Sequence, residues 1–241
     1  MNEDLIKITK KAADLVLSYP KDTRIRVISH YDADGISAAA IISKALYRLG
    51  YDFHTTLMRN PFDKGLKRVS KEDNEIIIFS DMGSGQIDTI QKMNVKSIIF
   101  DHHQVKKEKT DENIIQINCN LFSINGNYEA CGSTLAYLFT KALDQNNIDL
   151  SGIAITGMTG DKQYIGGFRG LNKEIIDEAV KNNIVTEKTA IKLPGETIFD
   201  SLYYSVDPYY SGISGNKEQI KNLLDTFEID KNKRYQLETF K

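Results

Sequence analysis

The sequence contains little cysteine, no tryptophan and no long hydrophobic run. Its two cysteines, Cys119 and Cys131, do not form a CxxC pattern, which argues against a disulfide framework and against a structural zinc site. No apolar stretch approaches the roughly 20 residues of a membrane-spanning helix. The opening residues, MNEDLIKITKK, mix both charge signs without an apolar signal segment. We therefore expect a cytoplasmic protein with no membrane partner.

An excess of charge of one sign is also missing. The 241 residues include 31 lysines and arginines and 33 aspartates and glutamates, which gives a formal net charge of −2. This balance argues against a protein that coats nucleic acid with its whole surface, although it allows a local basic groove. Hydrophobic residues make up 41% of the chain, enough for one sizeable domain or a large domain with a small appendage.

Apolar β-rich runs alternate with helical patterns in the first part of the chain. The predicted strands lie at 25–29, 53–57, 76–80, 97–100 and 114–117. The predicted helices lie at 3–18, 36–49, 85–93 and 133–146. Strands that alternate with helices require crossover connections, so we predict an α/β fold with a mostly parallel sheet flanked by helices.

Later residues have a less regular pattern. Residues 152–160 fit a strand or a close-packed helix, of which the helix is favoured, and further helices are predicted at 172–183 and 216–227. Residues 193–215 are rich in proline, glycine and tyrosine and are interpreted as a linker. We therefore expect a large domain over residues 1–192, followed by a small helical C-terminal segment over residues 193–241.

Side chains able to bind metal follow three of the predicted strands directly. In chain order they are His30, Asp32 and Asp34, then Asp81, and then Asp101, His102 and His103. Because ligands bind outside the carboxyl ends of parallel strands, we expect these clusters to meet at one edge of the sheet. Asp161, which follows the small-residue stretch 152–160, is a fourth candidate.

Each cluster also has an ordinary explanation when it is considered alone. An aspartate after a strand is commonly a turn residue or a helix N-cap, and Asp34 is a fair candidate to cap the helix that begins near Gly35. Three successive strand ends with carboxylates and imidazoles are harder to explain this way, since the carboxylates would repel one another without cations. Mixed Asp and His ligation without thiolate favours Mn²⁺, with Mg²⁺ or Zn²⁺ as alternatives, and two ions rather than one.

Four short segments resemble a known family. HYDADG, SDMG, DHH and GD, in this order, are similar to the four motifs of the DHH phosphoesterase superfamily over roughly residues 24–165. The segment GDKQYIGGFRGLNKEI (160–175) further resembles the archaeal branch of RecJ-like nucleases. The first motif, H-x-D-x-D, differs from the H-x-x-x-D-x-D spacing of the related inorganic pyrophosphatases.

The resemblance implies two divalent cations, most readily Mn²⁺, joined by a bridging carboxylate of Asp81. The other ligands that it implies are His30 and Asp32 for one ion, and Asp34, His102 and Asp161 for the second. His103 would lie near the scissile phosphate and stabilise developing negative charge. Asp101 would orient the histidines.

Further residues are candidates for contacts with the substrate. The predicted helix 133–146 places Gly132, Ser133 and Thr134 at its N-terminus, where free backbone N–H groups can bind phosphate. Plain N-capping by Ser133 is the equal alternative. Arg59 and Arg169 are additional candidates for phosphate contacts.

The resemblance implies a metal-dependent phosphodiesterase that degrades single-stranded nucleic acid from an end, specifically a RecJ-like 5′ to 3′ exonuclease on DNA. Hydrolysis of short oligoribonucleotides or cyclic dinucleotides stays open, as does a non-catalytic replication-complex scaffold. The expected partners are single-stranded DNA or RNA, with replication proteins of the GINS type or a second copy of the chain as further candidates. Nothing after about residue 200 resembles the glycine-rich, His-containing accessory domain of RecJ-like proteins, so that domain is expected to be absent.

Overall fold

The structure is a computed structural model that describes residues 2–60, 62–105, 110–187, 195–232 and 234. The chain forms two compact units, Met1–Thr186 and Glu187–Lys241. The domain boundary expected between residues 192 and 193 lies outside the described residues. Within those described ranges, we find no helix with the length and apolar character needed to span a bilayer.

A five-stranded, all-parallel sheet forms the centre of the first unit. Its strands are β1 (Ile25–His30), β2 (Phe53–Met58), β3 (Ile76–Ser80), β4 (Lys96–Asp101) and β5 (Ile114–Asn118). They are arranged in the order β2-β1-β3-β4-β5. The order reverses beside β1, and the carboxyl ends of strands at such a switch point form the usual ligand crevice of parallel sheets.

Helices surround the sheet on both faces, which confirms the predicted α/β fold. The helices of the first unit are α1 (Glu3–Leu17), α2 (Ala33–Arg48), α3 (Asp63–Val69), α4 (Ile87–Gln91), α5 (Gly132–Leu143), α6 (Ser151–Gly160) and α7 (Gly170–Lys181). The described part of the second unit contains α8 (Ile198–Tyr203) and α9 (Lys217–Thr226).

Alternate residues of each strand supply two separate cores, because successive side chains point to opposite faces of a sheet. In β3, Ile76 and Ile78 pack in the cluster that includes α1, α2 and α5. Ile77 and Phe79 pack in the second cluster, with α3 and α4. All four side chains are fully buried, and burial of each contributes about 1.5–3 kcal/mol. These two cores hold the strands in register, so their carboxyl ends have fixed positions.

A buried arginine ties β1 to its neighbours. Arg26 is only 2% exposed, and its Nε donates to Glu72 Oε2 at 2.7 Å. Its Nη1 donates to the carbonyl of His54 at 2.8 Å and its Nη2 to Thr56 Oγ1 at 2.9 Å. Three of the donor groups of this guanidinium therefore have partners, as a buried cation requires.

Two predicted elements differ from those observed. The predicted helix 85–93 is a 3₁₀ turn, Ser84–Gln86, followed by the short α4. The predicted linker 193–215 contains α8, which begins where Thr197 Oγ1 accepts a hydrogen bond from Asp200 N at 3.0 Å. This side-chain cap stabilises a helix that the proline- and glycine-rich composition concealed.

Candidate metal centre

The carboxyl edge of the sheet brings the predicted ligands together. His30 ends β1, Asp32 is the N-cap of α2 and Asp34 lies in the first turn of that helix. Asp81 and His102 follow β3 and β4 directly. Asp161, the C-cap of α6, joins them from outside the sheet.

Asp81 lies in the middle of this group and is only 2% exposed. Its Oδ2 is 3.3 Å from His30 Nδ1, and its Oδ1 is 3.2 Å from His102 Nε2. The backbone of Asp81 has a φ of 55°, a left-handed conformation that non-glycine residues adopt rarely. Its N–H donates to the carbonyl of Phe100 at 2.8 Å, which fixes this conformation. The two carboxylate oxygens consequently face two different histidines.

On one side of Asp81, His30 Nδ1 lies 2.8 Å from Asp32 Oδ2. On the other side, His102 Nε2 lies 3.2 Å from Asp161 Oδ2 and 3.8 Å from Asp34 Oδ2. Three overlapping groups each have candidate ligand atoms within 4.8 Å of one another. They are His30, Asp32 and Asp81; Asp34, His102 and Asp161; and Asp81, His102 and His103.

The orientation of the buried polar atoms fits bound cations. Among the described residues, both ring nitrogens of His30, Nε2 of His102 and both carboxylate oxygens of Asp81 are buried without a hydrogen-bond partner of acceptable geometry. His30 Nδ1 and His102 Nε2 lie 3.3 and 3.2 Å from the two oxygens of Asp81, so these four atoms lie close together. Buried polar atoms are almost always hydrogen-bonded, and five such exceptions at one place match ligands directed at a cation. Carboxylate oxygens and imidazole nitrogens suit Mn²⁺, Mg²⁺ or Zn²⁺.

The pKa values reflect the crowding of carboxylates. Burial raises the pKa of Asp81 to about 6, against the opposing influence of the neighbouring histidines. Burial, together with the charge of Asp34, raises the pKa of Asp161 to about 7. Burial would lower the pKa of His102, but the surrounding carboxylates, led by Asp81, raise it to about 10. A nearby cation would favour the ionised form of these carboxyl groups.

Asp34 is fully buried and binds the N-terminus of α5. Its Oδ2 accepts a hydrogen bond from Gly132 N at 2.6 Å, and its Oδ1 accepts one from Ser133 N at 2.9 Å. The close contact between the α5 N-terminus and the carboxylates requires glycine at position 132, because a Cβ at Gly132 would lie 2.7 Å from Asp81 Cβ. A Cβ at Gly157 of α6 would likewise lie 2.7 Å from Asp34 Oδ1. The N-terminal charge of the α5 dipole therefore acts on Asp34.

This arrangement corrects three predictions made from the sequence. The amides of Gly132 and Ser133 donate to Asp34 and are not free to bind phosphate. The hydroxyl of Ser133, which is not the N-cap, donates to the carbonyl of Ala154 at 3.1 Å, and Thr134 Oγ1 donates to Asn172 Oδ1 at 2.6 Å. Both hydroxyls are fully buried. The residue that caps α2 is Asp32, which accepts from Gly35 N at 3.0 Å, and not Asp34.

Asp101 holds the segment that carries both histidines. Its Oδ1 accepts hydrogen bonds from the backbone N–H of His102 at 2.8 Å and of His103 at 3.1 Å. Its Oδ2 accepts from Ser84 N at 2.8 Å. Burial works against the charge of Asp101, but hydrogen bonding from His103 keeps its pKa below the usual value. Asp101 is therefore an ionised acceptor whose two oxygens are occupied by these backbone N–H groups.

His103 differs from His102 in exposure. The His103 side chain is 57% exposed, whereas that of His102 is 10% exposed. His103 Nδ1 lies 2.8 Å from Asp101 Oδ1, an interaction that raises the pKa of His103. Because an ionised carboxylate accepts only from a protonated nitrogen, Nδ1 carries the proton and Nε2 is available to a substrate. His103 Nδ1 is also 3.8 Å from Asp81 Oδ1, close to the centre.

Several residues that position the histidines were missed in the sequence. The carbonyl of Gly126 accepts from His102 Nδ1 at 2.6 Å, which directs Nε2 towards the carboxylates. Asn120 Nδ2 donates to the carbonyl of His102 at 2.8 Å, and Asn118 Nδ2 donates to that of His103 at 2.9 Å. Asn118 ends β5 and Asn120 lies two residues further, so a search for polar residues at strand ends, which identified the other clusters, could have identified them. Gly126 has no local sequence signal.

Arg59 and Arg169, predicted to contact substrate, lie in exposed positions. The guanidinium of Arg59 is 5.2 Å from the ring centroid of Tyr31. That of Arg169 is 5.4 Å from the ring centroid of Tyr128. Their contact with a substrate stays a prediction.

Two cavities meet at His103. The first, of about 310 Å³, is lined by residues that include His30, Asn60, Phe62 and Asp81. The second, of about 440 Å³, is lined by His102, Asn120 and Asn127, among others. His103 and Gln104 line both cavities. A substrate could therefore extend past His103 in both directions.

Comparison with known proteins gives both sequence and fold relatives. The family model described as "DHH family, N-terminal domain" matches residues 24–159. The uncharacterized protein MJ0831 of Methanocaldococcus jannaschii is 34% identical over 96% of this chain, and the chain spans 54% of that relative's length. RecJ of Thermus thermophilus in complex with Mn²⁺ has a TM-score of 0.56 at 20% identity, covering 89% of this chain and 31% of its own. CDC45 of Entamoeba histolytica has a TM-score of 0.64 at 16% identity, covering 99% and 53% respectively.

Proposed function

Because the chain belongs to the DHH family, we propose that it is a metal-dependent phosphoesterase that hydrolyses single-stranded nucleic acid from an end. In the finer form of the proposal it is a RecJ-like exonuclease of the archaeal branch, acting on DNA in the 5′ to 3′ direction. Single-stranded DNA or RNA is its proposed substrate. A GINS-type replication partner and self-association stay predictions.

One observation carries the proposal, namely the buried atoms of His30, Asp81 and His102 that lack hydrogen-bond partners. The proposed ligands are His30 and Asp32 on one side, Asp34, His102 and Asp161 on the other, and Asp81 between them. Buried nitrogen and oxygen atoms without hydrogen-bond partners carry an energetic cost, so a purely structural role accounts poorly for them. Two divalent cations, with Mn²⁺ favoured over Mg²⁺, would supply charge neutralisation at the phosphate and an ionised water as nucleophile.

The protein's own side chains would then position and polarise the substrate. Asp101, buried and held by three backbone N–H groups, keeps the proton of His103 on Nδ1 when the ring is neutral. His103 Nε2 is the exposed atom that can donate to a phosphate oxygen when the ring is protonated. The raised pKa of His103 favours that protonated form. A donor placed at developing negative charge acts mainly on the rate of the chemical step.

The decisive experiment is digestion of single-stranded DNA and RNA, labelled separately at the 5′ and 3′ ends, with Mn²⁺ and with excess chelator. We expect mononucleotide release that requires metal, and the labelled end that is lost first gives the polarity. Mn²⁺ should restore activity better than Ca²⁺, whose larger and looser coordination shell positions water poorly. Full activity in chelator, with no metal found by elemental analysis, would contradict the metal-dependent mechanism.

Defined dinucleotides and cyclic dinucleotides distinguish the alternative substrates. If these are hydrolysed faster than long single strands, the short-substrate alternative replaces the exonuclease. If the protein hydrolyses no phosphodiester with Mn²⁺ present, the non-catalytic scaffold replaces both.

A further inference from the structure

Two half-exposed tyrosines, each paired with an arginine, lie beside the metal centre. Tyr31 is 45% exposed and Tyr128 is 47% exposed. The guanidinium groups of Arg59 and Arg169 lie 5.2 and 5.4 Å from the respective ring centroids. An arginine over an aromatic ring forms a flat, positively charged surface.

Each tyrosine is connected to a different side of the centre. Tyr31 directly follows His30, and the two ring centroids are 5.0 Å apart in an edge-to-face arrangement. Tyr128 lies two residues after Gly126, whose carbonyl accepts the hydrogen bond from His102 Nδ1. The first tyrosine thus belongs to the His30 side of Asp81, and the second belongs to the His102 side.

Chain neighbours of these tyrosines line the two cavities. His30 and Asn60, the chain neighbours of Tyr31 and Arg59, line the first cavity. Asn127, the neighbour of Tyr128, lines the second. Since His103 and Gln104 line both, a strand that occupies both cavities passes His103.

We propose that Tyr31 and Tyr128 are stacking platforms for the two bases that flank the phosphate held at the metal centre. This inference rests on the proposed function and specifies its substrate class as phosphodiesters that carry nucleobases. Bases of single-stranded nucleic acid stack on aromatic rings and on guanidinium planes whatever their identity. Arg59 and Arg169 add local positive charge, which a chain with a net charge of −2 needs at the place where it binds a polyanion.

The test measures the dissociation constant of a short fluorescein-labelled single-stranded oligonucleotide by anisotropy in Ca²⁺, so the readout does not depend on turnover. Tyr31→Leu and Tyr128→Leu are each expected to weaken binding about tenfold, within the range for loss of one base–aromatic stack. Tyr31→Trp should bind like the parent, because a larger ring preserves stacking.

Tyr47→Leu is the matched control. Tyr47 is 69% exposed and has Lys44 Nζ 5.4 Å from its ring centroid, but it lies near the far end of α2 from the proposed ligands. It should bind the oligonucleotide like the parent. Equal losses in Tyr47→Leu and Tyr31→Leu would overturn the proposal, since the effect would then be non-specific.

An oligonucleotide with abasic sites at its two terminal nucleotides separates stacking from charge. The parent should bind it more weakly than the normal oligonucleotide. The loss of affinity caused by Tyr31→Leu should be smaller, or absent, with the abasic oligonucleotide. A loss of the same size on both oligonucleotides overturns the platform assignment. If the parent binds the oligonucleotide but hydrolyses nothing in Mn²⁺, the proposed function is wrong. The affinity comparison still shows in that case whether the tyrosines stack on bases. If the parent hydrolyses single strands and both tyrosine variants bind normally, only the platforms fail.

Discussion

Replacement of Asp34 by asparagine should destabilise the fold even when no metal is bound. Asp34 is fully buried, and both of its oxygens accept backbone N–H groups at the N-terminus of α5. Asparagine keeps one acceptor oxygen and turns an NH₂ group towards the other N–H donor. The Asp34→Asn variant therefore loses a hydrogen bond to a charged group, worth about 1.5–3 kcal/mol, and the dipole interaction, worth about 0.3–1 kcal/mol.

The sum is a loss of about 2–4 kcal/mol in the free energy of unfolding. For a protein of this size it corresponds to a fall in Tm of roughly 4–16 °C. Urea and thermal unfolding, followed by circular dichroism in excess chelator, measure both quantities. The chelator removes any contribution of bound cations, so the measurement reports the contact between Asp34 and α5 alone.

Asp32→Asn is the matched control for this experiment. Asp32 is also a proposed ligand, but its side chain is 43% exposed and caps α2 through Gly35 N, a role that asparagine performs equally well. It should unfold within about 0.5 kcal/mol of the parent in chelator. In Mn²⁺ both variants should lose the stabilisation that metal gives the parent. The reasoning is refuted if Asp34→Asn matches Asp32→Asn in chelator.

Three further predictions concern the centre and the sheet. Asp81→Ala should abolish hydrolysis and lower the metal content found by elemental analysis, whereas two retained ions with normal turnover would disprove the bridging role. His103→Ala should keep its metal and most of its oligonucleotide affinity, but its hydrolysis rate should fall about a hundredfold to a thousandfold. His102→Ala should lose bound metal as well as activity. Similar metal loss in both variants would show that His103 is a ligand. Arg26→Met should lower the free energy of unfolding by about 1–3 kcal/mol. Glu72→Gln is the comparison variant: it retains the guanidinium, so its free energy of unfolding should fall by less.

The sequence predicts those parts of the site that depend on local pattern. Runs such as IRVIS and IIIFS identify β1 and β3, and the parallel arrangement brings the polar residues after them to one edge. Contacts between distant segments could not be predicted. Asp34 and Gly132 are 98 residues apart, so the sequence shows an N-terminus with free amides but not the carboxylate that binds them. The hydrogen bond from His102 to Gly126 spans 24 residues and has no local signature.

The parallel sheet also determines when during synthesis and folding the centre can form. Neighbouring parallel strands are joined only through crossovers, so β2 and α3 must be synthesised before His30 can contact Asp81. Asp161 follows all five strands in the chain. A nascent chain cannot complete the group of Asp34, His102 and Asp161 until most of the first unit has left the ribosome. Because non-local parallel pairing is slow, we expect cation capture to be among the last steps of folding, after the two hydrophobic cores have closed.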